Sequence, residues 1–400
     1  MNLLGLHRLS ATYRVSTPLF GGGFDLHHSA EVRLPAFLGQ LRFWWRTLHG
    51  HLSAAELAER EAAVFGTAAG GKGVGQRLTA RLTVLHHAGF FGPDASFKKT
   101  PGRQYLAYGL CDQRGDLRNT DQRKAVDSKA VDVGTVFELT LVPRQADAAV
   151  TLQQALVLLG TCGGVGARSR RGFGSVTLLS LNGRDVSPKP VARLEAFAAG
   201  SLRRAEEARA LVDRTGLPAW TCLSPHSRLQ VVGPFPNAVA AHDAVGREMV
   251  RERSFGHKGQ TLCGERAEQN FRDDHDAMQA PRADRLPRRA VYGLPHNYFF
   301  STTKQKVSIP RRGSGLDRRA SPLLLHVDDA GLGGEPGAWV VATLLPSEFL
   351  PRGQDAVESS NGRLRVEASA SALYRPLVGF LKRLSALSDA TYSFEGVTRD

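Results

Sequence analysis

The order in which the hydrophobic pattern changes period constrains the fold most. Residues 3–18 alternate apolar and polar for much of their length, which predicts a long first strand ending at Pro18. The run LPAFLGQLRFWWRTLHGH (34–51) then places Phe37, Leu38, Leu41, Trp44, Trp45 and Leu48 at spacings of three and four, one broad apolar face of a helix with Pro35 in its first turn. SAAE (53–56) reads as a capping box opening a second helix, expected to reach Phe65 and stop at Gly66. RLTARLTVLHH (77–87) and TVFELTLVP (135–143) are strand-like, ADAAVTLQQALVLLGTC (146–162) is helical, and GSVTLLSL (174–181) is a strand again. A polar insertion, about 89–132, carries Lys98, Lys99 and Arg103 near Tyr105 and Tyr108.

Strand, helix, strand, strand, helix, strand is the split βαβ order of ferredoxin-like domains, which RNA-recognition motifs share. A second unit begins near residue 220. SRLQVVGPF (227–235) is a strand and NAVAAHDAVGREMVRER (237–253) a helix. Residues 254–290 are polar and loop-like. VYGLPHNYFF (291–300), PLLLHV (322–327) and AWVVATLLP (338–346) are strand-like, and ASALYRPLVGFLKRL (370–384) is a helix with a kink expected at Pro376. The expected architecture is α+β, two ferredoxin-like (RRM-like) domains with insertions. The first spans 1–190, a charged connecting helix 191–219, and a more degenerate second copy 220–400, although no internal sequence repeat is visible.

Hydrophobic residues make up 42% of the 400, enough for a packed core. Lysine and arginine outnumber aspartate and glutamate by 52 to 38, a net charge of +14 that points first to nucleic acid and then to an anionic surface. No stretch reaches the roughly 18 apolar residues of a membrane span, and the first residues lack a signal-peptide layout, so a cytoplasmic protein with no membrane partner is expected. The four cysteines lie far apart without a C-x-x-C pair, which disfavours a zinc site or a disulfide framework; no metal or cofactor is expected.

The most telling segment is GGVGARSRRGFGSV (163–176), with five glycines and three arginines between a helix and a strand. Neither G-x-x-x-x-G-K-[ST] nor a G-x-G-x-x-G leading into a helix is present, which disfavours a mononucleotide cradle. A plain connector has no use for Arg168, Arg170 and Arg171 packed together. Gripping a polynucleotide backbone does, since glycine amides and guanidinium forks both suit phosphate. Gly163, Gly164, Gly166, Arg168, Arg170, Arg171 and Gly172 are therefore candidate RNA-binding residues. On the first helix Gly39, Arg42, Arg46 and His49 form a second stripe, with Arg42 and Arg46 the stronger candidates. Lys98, Lys99, Arg318 and Arg319 are candidate RNA or partner contacts. Trp44 and Trp45 lie on the apolar stripe and are expected to be buried, whereas Phe43 lies off it, free to touch RNA or a partner.

The glycine-rich loop resembles the G-loop of the RAMP superfamily, the RNA-binding proteins of CRISPR systems. TPLFGGG (17–23), EVRLPAFLGQLRFWWRTLHG (31–50), EAAVFG (61–66), YGLPHNYFF (292–300) and DRRASPLLLHV (317–327) are similar in order and wording to the first-numbered RAMP subunits of type III-B (Cmr) effectors. The resemblance implies two ferredoxin-like domains. It implies a non-catalytic subunit that caps the backbone filament near the 3′ end of the crRNA. Its implied partners are crRNA, target RNA and the other RAMP subunits. It maps RNA binding onto Arg42, Arg46, Arg168, Arg170 and Arg171. The alternative is a metal-independent endoribonuclease maturing CRISPR RNA, in which His27 or His28, beside Asp25 in an early loop, serves as general acid or base.

Overall fold

The computed structural model describes residues 7–22, 29–67, 77–92, 97, 99–108, 110, 129–197, 216–256, 259–261, 263–300, 302–311, 313, 315–316, 318–329, 337–351, 353–367, 369–395 and 398–399. In the first domain β1 (Leu9–Val15) is followed by α1 (Leu34–Thr47) and α2 (Ala54–Phe65), then β2 (Leu78–His86). A short insertion helix α3 (Pro101–Leu106) precedes β3 (Val136–Pro143), α4 (Ala146–Cys162) and β4 (Val176–Leu181). The strands lie in the order β2–β3–β1–β4, each pair antiparallel. Strict alternation puts Leu9, Ala11, Tyr13 and Val15 of β1 inside, where Tyr13 and Phe37 pack on Phe137 with ring centroids at 5.6 and 4.6 Å. Strand β1 is shorter than its pattern predicted. Beyond Val15 the chain leaves the sheet, and the buried Ser16 donates to the carbonyl of Val327 in the second domain at 2.7 Å. The capping box forms as expected: Glu56 accepts the Ser53 amide at 2.9 Å, Ser53 accepts the Glu56 amide at 3.3 Å, and Gly66 ends α2.

The second domain runs β5 (Arg228–Phe235), α5 (Ala238–Arg253), α6 (Arg272–Gln279), β6 (Leu323–Asp329), β7 (Ala338–Leu344), α7 (Ala370–Leu384) and β8 (Ala390–Glu395). Its sheet order is β6–β7–β5–β8, again antiparallel throughout. In each sheet the second, third, first and fourth strands of the βαββαβ motif lie side by side. The repeat is thus present in topology although the sequence does not display it. The polar stretch read as a loop contains α6. Residues 291–300 contribute only His296–Phe299, paired with Lys306–Ile309 in a hairpin apart from the main sheet. Pro376 sits inside α7, which continues through it. Of the connecting helix expected over 191–219, residues 191–197 are helical and 216–219 are not, while 198–215 lie outside the described residues.

The two sheets share the helix between them. Alternate residues of β7 serve different cores: Val340, Ala342 and Leu344 pack with the second-domain helices, Trp339 and Val341 with the first-domain core. Helix α4 receives that second face, and it is buried almost all round because nearly every position from Thr151 to Cys162 is apolar or small. A Cβ on its Gly160 would lie 2.6 Å from Leu178 Cβ and 2.7 Å from the Tyr13 ring. Gly160→Ala is therefore expected to destabilise the protein by about 1–3 kcal/mol through overpacking. Urea unfolding would measure this; an unchanged midpoint would mean that the sheet is not seated so tightly on α4.

Candidate nucleic-acid interface

The loop after α4 is held by its own backbone, by the segment that follows β1 and by the second domain. Val165 N–H donates to Gly174 O at 2.8 Å, Gly174 N–H to Pro18 O at 2.9 Å, Ala167 N–H to Phe20 O at 2.9 Å, and Leu325 N–H of β6 to Arg170 O at 3.1 Å. Gly174 has φ +61°, and a Cβ there would lie 1.9 Å from Val165 O. A Cβ on Gly163 would sit 2.4 Å from Trp44 Nε1. Gly163, Gly164 and Gly172 are buried and Gly166 is half-buried against Phe20. This corrects the expectation that the glycines leave room for a ligand: the close approach they permit is made by the protein's own main chain.

The arginines are arranged differently. Arg168 adopts φ +60° at the exposed tip and forks onto Tyr108 O, Nε at 3.1 Å and NH2 at 2.6 Å, beside a Tyr108 side chain that is 61% exposed. Arg170 lies over the Phe43 ring at 5.0 Å and donates to Ser321 O. Burial, with Arg319 nearby, pushes its guanidinium down to about 10. Burial likewise lowers Arg171 to about 10, and Arg253 and Arg168 add to the shift. Among the described residues none of Arg168, Arg170, Arg171, Arg253 and Arg319 is paired with a carboxylate. Five guanidinium groups from both domains thus gather about one loop, without a carboxylate partner among the described residues. Such a cluster is suited to anionic oxygens, and forked donors suit phosphate in particular.

The stripe on α1 has a structural task. Arg46 grips both oxygens of Glu61 at 2.6 and 2.7 Å, which raises its pKa. Arg42 donates to Phe65 O and Gly66 O at 2.9 Å each and lies over the Phe65 ring, so both arginines pin α2 onto α1. Gly39 is exposed with open space beside it. His49 is only 7% exposed, stacked on Trp45 with Nδ1 2.8 Å from Trp45 O; its expected outward contact is corrected to packing, because this histidine falls where the helix meets the core. Trp44 and Trp45 are buried as expected, and Phe43 supports Arg170. Lys99 is exposed, Arg318 is exposed, and Arg319 is half-buried, donating to the Tyr374 hydroxyl at 2.8 Å. Lys98, Asp25, His27 and His28 lie outside the described residues.

Two features at this junction escaped the sequence. Gly102 of α3 crosses Gly246 of α5 so closely that a Cβ on either would strike the other backbone, and Asp243 accepts the Gly102 amide at 2.8 Å. This brings the insertion, with Tyr105 and Tyr108, to the loop. Arg253 closes α5 next to Arg171, and the only sequence signal for it is a basic residue in a last turn. Deeper in, Arg193 and Asp328 form a fully buried ion pair, and His326 binds Gly163 O at 2.5 Å and Asp328 at 3.3 Å. His242 donates Nε2–H to Arg171 O at 2.8 Å. Among the described residues no cluster of three histidine, cysteine or carboxylate side chains could hold a metal, and no helix is long and apolar enough to cross a membrane.

Residues 12–177 match the family model of the RAMP superfamily. Among solved structures, Cmr1 from Pyrococcus furiosus in its apo form is similar over 98% of this chain and 99% of its own, with a TM-score of 0.54 at 18% identity. That likeness establishes a common fold. A chain of the type III-B Cmr-beta complex bound to cognate target RNA is similar over 94% of this chain and 99% of its own, at 11% identity and a TM-score of 0.44. No curated protein matches the sequence.

Burial, with Arg103 nearby, pushes His242 down to about 3 from an ordinary 6.5, so it is neutral in the fold. Between these values the unfolded chain binds the extra proton, and stability falls as pH drops through that window. From pH 7 to pH 5 this histidine is expected to cost about 2 kcal/mol. His242→Gln, which keeps a donor for Arg171 O, should flatten that part of the slope in urea unfolding at the two pH values. An identical slope in the variant would show that His242 does not carry it.

Proposed function

Because residues 12–177 match the family model of the RAMP superfamily and the fold is similar to that of Cmr1, we propose that the protein is a RAMP protein, the Cmr1-type, RNA-binding subunit of a type III-B CRISPR ribonucleoprotein. In this reading it works in the cytoplasm in antiviral, RNA-guided defence. It binds crRNA near the 3′ end and caps the backbone filament, and its partners are crRNA, target RNA and neighbouring RAMP subunits. The observation that carries the reading is the arginine cluster about the G-loop, unpaired with any carboxylate among the described residues, with Arg168 exposed at the tip beside Tyr108. Fold similarity to Cmr1 along the whole chain supports it, as do the sequence stretches shared with that family. The main chain of the loop is committed to the domain junction, so affinity comes from side chains. Guanidinium groups that meet phosphate and ribose hold any guide alike and leave the reading of sequence to base pairing.

The role is binding, without cleavage. Incubated in chelator with CRISPR repeat RNA, the purified protein is expected to leave the RNA intact. Cleavage abolished by His27→Ala together with His28→Ala would replace this reading by the endoribonuclease one. Arg168 separates binding from folding, because it is exposed. Arg168→Ala should raise the Kd for single-stranded RNA roughly 3- to 10-fold irrespective of sequence and reduce the slope of log K against log salt by about 0.7–1. Its unfolding free energy should stay within about 0.5 kcal/mol of wild type. Equal affinity and equal salt slope in the variant would remove the G-loop from the binding surface.

A further inference from the structure

Behind the exposed tip of the loop lies a second group of donors that Arg168 does not explain. Arg171, from the loop, and Tyr292, from the second domain, share the same neighbours: each interacts electrostatically with both Arg253 and Tyr105. The Arg253 guanidinium lies 4.8 Å from the centre of the Tyr292 ring and 6.0 Å from that of Tyr105. Arg289 joins from the other side, donating to Arg253 O at 2.7 Å and lying 5.0 Å over the Tyr298 ring. Three polar atoms in this group are buried without a hydrogen-bond partner: Nε of Arg253, the hydroxyl of Tyr298, and the hydroxyl of Tyr292, whose residue is only 8% exposed. A buried hydroxyl and a buried guanidinium N–H both unmet in one place are rare in a folded protein.

The neighbouring carboxylates are already engaged. Glu252, beside Tyr292, is held by Arg383 at 3.3 Å, and Asp274 accepts the Arg289 amide at 2.9 Å. His296, next to Arg289 and Arg253, is kept neutral by burial and by those two cations, and accepts from Arg289 Nε at 3.0 Å. Among the described residues, what remains there is a pair of forked cations and an unmet phenolic hydroxyl, with the nearby carboxylates already engaged. Chloride would use one or two of these donors. A tetrahedral oxyanion, with several acceptor oxygens, can meet them together.

We propose that this cluster, formed by Arg171, Arg253 and Tyr292 where the G-loop meets the end of α5, holds one phosphate group of the bound RNA. The proposal rests on the RNA-binding reading and adds a specific anchor to it, at the domain junction and apart from the exposed Arg168. The phosphate is either an internal phosphodiester or a terminal monoester, which the chemistry of the cluster admits equally.

The full-length protein is first titrated with inorganic phosphate against chloride at constant ionic strength, with thermal unfolding as the readout. Phosphate is expected to raise Tm beyond the chloride control. Arg253→Gln should lose that response. Tyr292→Phe removes only the unmet hydroxyl, so its Tm without phosphate should equal or exceed that of wild type, while its half-saturating phosphate concentration rises roughly 3- to 10-fold. Equal Tm in phosphate and chloride, or an unaltered response in Tyr292→Phe, overturns the site even should Arg253→Gln fail to fold. Binding of two single-stranded RNAs of one length, with and without a terminal phosphate, is then compared for wild type and Tyr292→Phe. Weaker binding of both identifies a phosphodiester, and weaker binding of the phosphate-ended RNA alone identifies the terminus; no change in either overturns the assignment to RNA. Loss of affinity in Arg168→Ala with none in Tyr292→Phe would discard the proposed anchor and keep the proposed function, whereas no loss in either variant would count against both.

Discussion

Between the two sheets lies α4, and everything at the junction depends on how it is buried. A helix on the surface of a domain needs one apolar face and one wet face. This one has the core of the first domain on one side and the face of the second sheet, through Trp339 and Val341, on the other. Its last residues, Gly160 to Gly163, are small because strands and Trp44 press on them. Since α4 ends there, the loop that follows has to start inside the junction. The second domain then closes over it with β6, whose Leu325 amide and His326 ring both bind loop carbonyls.

That placement explains a combination that would be costly elsewhere. Arg170 and Arg171 are largely buried next to other cations, and burial disfavours their charge. The fold offsets the cost with aromatic surfaces and carbonyls: Phe43 beneath Arg170, Ser321 O at its head, and the main-chain bonds of the loop itself. The cost is not removed by carboxylates, which would cancel the field. Among the described residues, the acidic groups near the junction are committed: Asp328 to Arg193 and His326, Asp329 to Arg14, Asp243 to α3 and Arg247. The interior is neutralised while the loop stays positive, as an anion-binding surface requires.

Much of this could be read in the sequence, for reasons that differ by element. The capping box at Ser53, the stop at Gly66, Pro35 in the first turn of α1 and the buried pair Trp44–Trp45 follow from local chemistry, and they stand in the structure as read. The helix α6 was not legible, because RDDHDAMQ carries no apolar stripe of its own; the strand β8 (ATYSFE) does alternate, with Ala390, Tyr392 and Phe394 on one face, but the run is too short to stand out. Arg42 and Arg46 show the same limit from the other side. On a helical wheel they form a basic stripe. Only the position of α2 reveals that Glu61 and the carbonyls of Phe65 and Gly66 occupy them.

By itself the sequence determined the class of the fold, the strand and helix order of the first unit, the net positive charge and the arginine-rich loop, since period, caps and charge are properties of neighbours along the chain. Tertiary structure decided which cations remain uncompensated, which glycines serve the protein's own packing, and that Tyr105, Tyr108, Arg171, Arg253 and Tyr292 meet at one place. The physical reason is that electrostatic pairing and burial depend on distance in space. Residues 105, 171, 253 and 292 come together only because α3 crosses α5 at two glycines and the second sheet closes on α4.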